Sequence, residues 1–148
     1  MKILIVFATN SGGTQLAADV LRETLSQNNH EVTVKEVRET KVDEFTPQDL
    51  VIFASPSWDY EGLEGQPHPD YRQFMDSAKG KLFTDKKFAV MGLGDSSYTY
   101  FCGAVDVLEK FIKELGGTLR TPSLKIDGFY LDQAGNTEKI QNWAKNLF

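Results

Sequence analysis

Thr9-Asn10-Ser11-Gly12-Gly13-Thr14 stands directly behind the apolar run Ile3-Leu4-Ile5-Val6-Phe7. The run reads as a buried strand, and Leu16, Ala17, Val20, Leu21 and Leu25 follow at helical spacing. Strand, short polar loop, helix is how α/β proteins hold a phosphate. Gly12 and Gly13 permit close backbone approach and positive φ, while the helix N-terminus supplies the positive end of a dipole. Thr9, Ser11 and Thr14 add hydroxyl donors. No Lys or Arg lies between Phe7 and Leu21, so the loop would hold a phosphate by neutral donors alone. The lysine of a P-loop and the third glycine of the dinucleotide fingerprint are both missing. A plain Gly-rich turn fits the same residues, and the choice falls to the rest of the chain.

Asn28-Asn29 ends the first helix, and Val32, Val34 and Val37 mark a more polar strand with edge character. Residues 38–48 read as loop with room for a helical turn. Leu50-Val51-Ile52-Phe53-Ala54 is a second buried strand, followed by polar, Gly- and Pro-rich residues as far as Pro69. Tyr71, Phe74, Met75 and Ala78 mark a short helix. Phe88-Ala89-Val90-Met91 is a third apolar strand, and Ala104, Leu108, Phe111, Ile112 and Leu115 mark a clear helix capped by Gly116-Gly117. Thr118 to Ile126 reads as one last strand, demoted to an edge by Pro122, and Asn136 to Phe148 as the closing helix.

Alternating strands and helices predict an α/β fold: a three-layer α/β/α sandwich around a five-stranded parallel sheet. The most apolar strands should be central and the two polar ones lateral, giving the order 2-1-3-4-5. Ligands of such sheets lie beyond the strands' carboxyl ends, at the switch between the first and third strands. Three polar loops follow the three central strands and converge there. The second presents Trp58 and the third Tyr98, a pair suited to sandwiching a flat aromatic ligand. Asp59, Glu61, Glu64 and Asp95 surround the same place, with no basic residue before Arg72. Such a rim resists adding negative charge to a bound ligand. Gly92-Leu93-Gly94-Asp95-Ser96-Ser97 mimics a dinucleotide fingerprint, but Ser97 stands where its third glycine belongs.

At 148 residues the chain suits one domain, residues 1–148, with a real core. A net charge of −5 argues against a nucleic-acid partner and suits one with a basic face. The single Cys102 precludes an internal disulfide and fits a reducing compartment. No signal peptide or bilayer-length apolar segment is legible, so a cytoplasmic protein is expected. His30 and His68 with one cysteine make no metal cluster.

These three loops resemble those of the flavodoxins, in their short-chain form, and the resemblance covers the whole chain. Thr9-Asn10-Ser11-Gly12-Gly13-Thr14 is similar to the family's phosphate loop, with Ser11 for the usual threonine. Ser55-Pro56-Ser57-Trp58-Asp59 resembles the loop whose tryptophan covers the inner flavin face. Gly92-Leu93-Gly94-Asp95-Ser96-Ser97-Tyr98 with Tyr100-Phe101-Cys102-Gly103 resembles the loop whose tyrosine covers the outer face. The resemblance implies a low-potential one-electron carrier with non-covalently bound FMN, cycling chiefly between semiquinone and hydroquinone, a monomer without a substrate-turnover site. It implies cofactor contacts from Thr9 to Thr14, from Ser55 to Tyr60 (Ser55, Pro56, Ser57, Trp58, Asp59, Tyr60), and from Leu93, Gly94, Asp95, Tyr98, Tyr100, Phe101 and Cys102. The pyrimidine edge would meet backbone groups near Asp95 and Cys102. It further implies redox partners, a reductase donor and a low-potential acceptor enzyme, docking at the exposed flavin edge. One departure is Asp59, where many flavodoxins carry a glycine whose carbonyl turns toward the reduced flavin. A two-electron FMN reductase of quinone-reductase type is the alternative, and needs an open ring face. A receiver-type signalling domain would need carboxylates where Ala8-Thr9 and Ser55-Pro56 stand.

Overall fold

The computed structural model describes residues 1–60 and 62–148, with Tyr60 described by its backbone only. Strand β1 (Lys2–Phe7) leads into helix α1 (Gly13–Gln27), and β2 (Glu31–Glu36) pairs in parallel with β1. Strand β3 (Leu50–Pro56) lies on the other side of β1, followed by the short antiparallel pair β4 (Trp58–Tyr60) and β5 (Leu63–Gln66). Helix α2 (Pro69–Ser77), strand β6 (Lys87–Gly94) and helix α3 (Gly103–Glu114) come next. The chain closes through β7 (Thr118–Leu119), β8 (Leu124–Asp127) and helix α4 (Gln133–Ala144).

The sheet runs β2-β1-β3-β6, with β7 and β8 both parallel to β6 on its far side. The expected order holds, with the fifth position filled by two segments. The break at residues 120–123 contains Pro122, which has no N–H to offer a ladder.

Period-two alternation explains the two cores. Ile3, Ile5 and Phe7 of β1, Leu50, Ile52 and Ala54 of β3, and Ala89, Met91 and Leu93 of β6 meet Ala17, Leu21 and Leu25 of α1 and Ile140 and Trp143 of α4. The intervening Leu4, Val6, Val51, Phe53, Phe88 and Val90 point the other way, onto α2 and α3. Phe45, in the stretch read as loop, sits on a 3-10 turn at Val42–Phe45 and is fully buried against Phe53, Phe74, Phe83 and Phe88.

The caps set the helix lengths. Asn29 at φ +67 and Gly116 at φ +77 each turn the chain left-handed after a helix. In both, the next N–H reaches back into the last turn, His30 to the Leu25 carbonyl at 3.3 Å and Gly117 to the Ile112 carbonyl at 3.0 Å. Helix α4 begins three residues before the expected Asn136, because the Asp132 carboxylate accepts the Gly135 N–H at 3.0 Å and starts it there. Among the described residues no helix is long and apolar enough to cross a membrane.

Candidate functional site

The loops after β1, β3 and β6 meet beyond the carboxyl ends of the sheet, where two adjoining cavities of about 280 and 240 Å³ open. Ser57, Trp58, Asp95 and Tyr98 line both, so the cavities form one cleft.

The larger cavity belongs to the loop behind β1. Thr9, Asn10, Ser11, Gly13 and Thr14 line it. Gly12 turns the chain at φ +89 and its N–H is held by the Thr9 hydroxyl at 2.9 Å. No side chain caps α1 and no acid stands in its first turn. The first turn of a helix has N–H groups without intrahelical acceptors, so this end of α1 is open to an anion. Among the described residues no lysine or arginine lines either cavity. Arg38 shares a separate groove with Thr9, but its Nε is bound to the Glu36 carboxylate at 2.5 Å.

Trp58 and Tyr98 remain 48% and 55% exposed although they sit on opposite loops of the same cleft. Trp58 is carried by the β4–β5 pair, where sequence reading had only a loop. Asp59 alone spans the space opposite Glu64 and Gly65, because Trp58 pairs with Gln66 and Tyr60 with Leu63. The extra residue is a bulge, with Gly65 at φ +77. This ribbon lies on α3 backbone to backbone: a Cβ on Gly103 would fall 2.7 Å from the Gly65 Cα. The Ser57 hydroxyl accepts the Ala104 N–H at 3.0 Å, fastening the start of the ribbon to the start of α3.

Tyr98 sits on a loop held from three sides. Its N–H reaches the Asp95 carbonyl at 3.1 Å, the Asp127 carboxylate accepts the Ser96 N–H at 2.9 Å, and the Asp95 carboxylate accepts that of Ser97 at 2.8 Å. The Ser97 N–H, and then its hydroxyl, keep the Asp95 carboxyl below the ordinary range. Asp59, Glu64 and Asp95 line the smaller cavity, which makes it acidic. Glu61 lies outside the described residues.

Pro56, Leu93 and Gly94 line the larger cavity, and Tyr100 and Cys102 the smaller. Cys102 caps α3 in a left-handed conformation, φ +51, and a Cβ on Gly94 would fall 2.9 Å from its Sγ. Burial pushes its thiol up to about 11, so it is a neutral wall group. Ser55 lies beneath the cleft, fully buried, its hydroxyl donating to the Pro56 carbonyl and accepting the His68 N–H. Phe101 packs toward the α2–α3 core and lines neither cavity. The Tyr60 side chain lies outside the described residues.

Sequence reading missed three lining residues and the role of one buried tyrosine. Gly65 was hidden in the loop that proved to be the ribbon; Tyr60 and Leu63 flanking Gly62 were the available hairpin signal. Tyr71 was read only as a helix marker. It is fully buried, its hydroxyl donating to the Val6 carbonyl at 2.5 Å and accepting the Ala54 N–H at 3.2 Å, so it bridges β1 and β3 at the switch point. Phe129 and Tyr130 line the larger cavity from the turn after β8. The signal for them was an apolar triplet, Phe129-Tyr130-Leu131, just beyond the last strand.

The family model for flavodoxins matches residues 5–143 of the chain. The flavodoxin of Maridesulfovibrio salexigens is 37% identical over 147 residues, covering 99% of this chain and 96% of the relative. That of Nitratidesulfovibrio vulgaris is 31% identical over 143 residues, covering 96% and 93%. The crystal structure of oxidised flavodoxin 2 from Bacillus cereus superposes with a TM-score of 0.88 at 31% identity, covering 99% of this chain and 97% of that one. With its sheet order, its uncapped first helix and its aromatic cleft, the chain belongs to the flavodoxin family of small FMN-binding electron-transfer proteins.

Proposed function

We propose that the chain is a low-potential, single-electron shuttle that turns over no substrate of its own, and that the cleft at the ends of β1, β3 and β6 is its FMN site. The observation that carries this reading is the shared cleft: Trp58 and Tyr98 line both of its halves, and the open N-terminus of α1 lies at one end. FMN, when bound, supplies chemistry in single-electron steps. Loop 9–14 binds the phosphate by backbone N–H groups and the hydroxyls of Thr9, Ser11 and Thr14. Trp58 and Tyr98 take opposite faces of the ring, and backbone groups near Asp95 and Cys102 hold its pyrimidine edge. Both faces being covered, the ring is left one edge for exchange, which suits electrons and not a stacked substrate.

Asp59, Glu64 and Asp95 disfavour a further negative charge in the cleft, and no cation lines it to offset them. That lowers the potential of the last reduction step. The same carboxylates suit docking by the basic faces of a reductase donor and a low-potential acceptor enzyme around residues 59–64 and 98–101. A monomer of one domain in the cytoplasm completes the reading, since a small acidic carrier must diffuse between partners.

Anaerobic reductive titration of the FMN-loaded protein tests it. Two well-separated one-electron steps, the second much harder than the first, are expected. A single two-electron step would favour the reductase alternative.

A further inference from the structure

Tyr130 belongs to neither core, and its side chain is 52% exposed. Its hydroxyl nevertheless donates to the Ser11 carbonyl at 2.9 Å, joining loop 9–14 to a turn 119 positions later. Its ring lies over the two glycines of the loop. A Cβ at Gly12 would stand 3.4 Å from the Tyr130 hydroxyl oxygen, and one at Gly13 3.2 Å from a ring carbon. The same ring lines the cavity that the loop opens into.

The tyrosine is carried by a fastened turn. Gly128 at φ +55 donates to the Gly94 carbonyl at 2.9 Å, and the Asn136 amide donates to the carbonyls of Gly128 and Phe129 at 3.3 Å each. Phe129 is buried and meets the Tyr130 ring edge-on at 5.6 Å.

What the hydroxyl holds is the carbonyl just before the helix. Helix α1 closes its first turn with the Leu16 N–H on the Gly12 carbonyl at 3.0 Å. Extending it backward by one residue would engage the Ser11 carbonyl, draw the loop into the helix and remove an N–H from the open end. Gly12 and Gly13 make such rearrangement easy, because glycine restrains the backbone least. The Tyr130 hydroxyl takes one acceptor position of that carbonyl and ties it to the turn after β8, which opposes the rearrangement.

We propose that Tyr130 is a positioning residue for the cofactor's phosphate: it straps loop 9–14 into its anion-binding shape before anything binds. The inference rests on the reading that this loop holds the phosphate. It concerns preorganisation, which lowers the ordering cost of binding without adding a contact.

The test compares the affinities of the apoprotein for FMN and for riboflavin, which lacks the phosphate, in the wild-type chain and in Tyr130→Phe. The variant keeps the ring and loses only the hydroxyl, at a half-exposed position where folding is retained, as circular dichroism of the apoprotein checks. FMN binding should weaken about three- to tenfold, the worth of one hydrogen bond, while riboflavin binding stays within about twofold. Unchanged FMN binding, or equal weakening of both flavins, overturns the proposal. A wild-type chain that binds the two flavins equally well overturns instead the phosphate reading beneath it.

Discussion

Asp59 stands where the resemblance implies a glycine in many flavodoxins, one of two departures along with Ser11. It stands alone opposite two residues of β5, in a ribbon whose own left-handed turn is taken by Gly65 and not by Asp59. A carbonyl that must turn toward the cofactor as the first electron arrives would ask for positive φ here, which costs an L-residue roughly 1–2 kcal/mol, somewhat less for Asp. Asp59→Gly should therefore raise the potential of the first one-electron step by roughly 20–60 mV, the equivalent of about 0.5–1.5 kcal/mol. Spectroelectrochemistry of the loaded variant reads this directly, and an unchanged first potential would remove Asp59 from the tuning. Tyr71 and Cys102 act differently: one ties the ends of β1 and β3 through its buried hydroxyl, the other fills space behind Gly94 as a neutral thiol.

At the scale of elements, the ribbon of β4 and β5 is the part that brings Trp58 over the cleft, and it stands on α3 where two glycines touch. Gly103 has no room for a side chain, since a Cβ would lie 2.7 Å from both the Gly65 Cα and its carbonyl oxygen, which are backbone atoms that cannot swing aside. Gly103→Ala should lift the ribbon from the helix, at a cost of about 1–3 kcal/mol in stability. Trp58 moves with the ribbon, so FMN affinity should fall as well. Thermal unfolding of the apoprotein together with a fluorescence titration separates the two losses, and a variant with wild-type values in both would show that the ribbon is not seated on α3. The packing also explains why the ribbon was hard to read. Its strands are only three and four residues long, one is bulged, and its stability comes from α3, not from its own alternation.

For the whole molecule, charge is the property that partners sense. Among 148 residues, 21 acids stand against 16 bases, and the fold gathers Asp59, Glu64 and Asp95 at one cavity that no Lys or Arg among the described residues lines. Complementary fields of this kind act mainly on association rate and fade with salt. The double variant Asp59→Asn/Glu64→Gln should slow electron transfer from a basic reductase several-fold at low ionic strength and flatten its dependence on salt. Stopped-flow rates across a salt series supply the comparison; an unaltered slope would move the docking face elsewhere.

The sequence by itself determined the sheet. The continuous apolar runs Ile3–Phe7, Leu50–Ala54 and Phe88–Met91 can be buried on both faces only when helices cover both, which makes them the central strands of a parallel sheet whose loops meet beyond one end. It also singled out loop 9–14 as a helix start open to an anion, because an α1 start without cap, acid or base is a local property. Only the tertiary structure decided what surrounds them. Pro122 split the last strand locally, but the pairing of both halves with β6 depends on the sheet. Phe45 became core because four rings from distant segments close around it. Gly65 meets Gly103, and Tyr130 meets Ser11, across separations that no spacing rule spans. Periodicity reports which face of an element is buried; it carries no information about which distant backbone will lie against it.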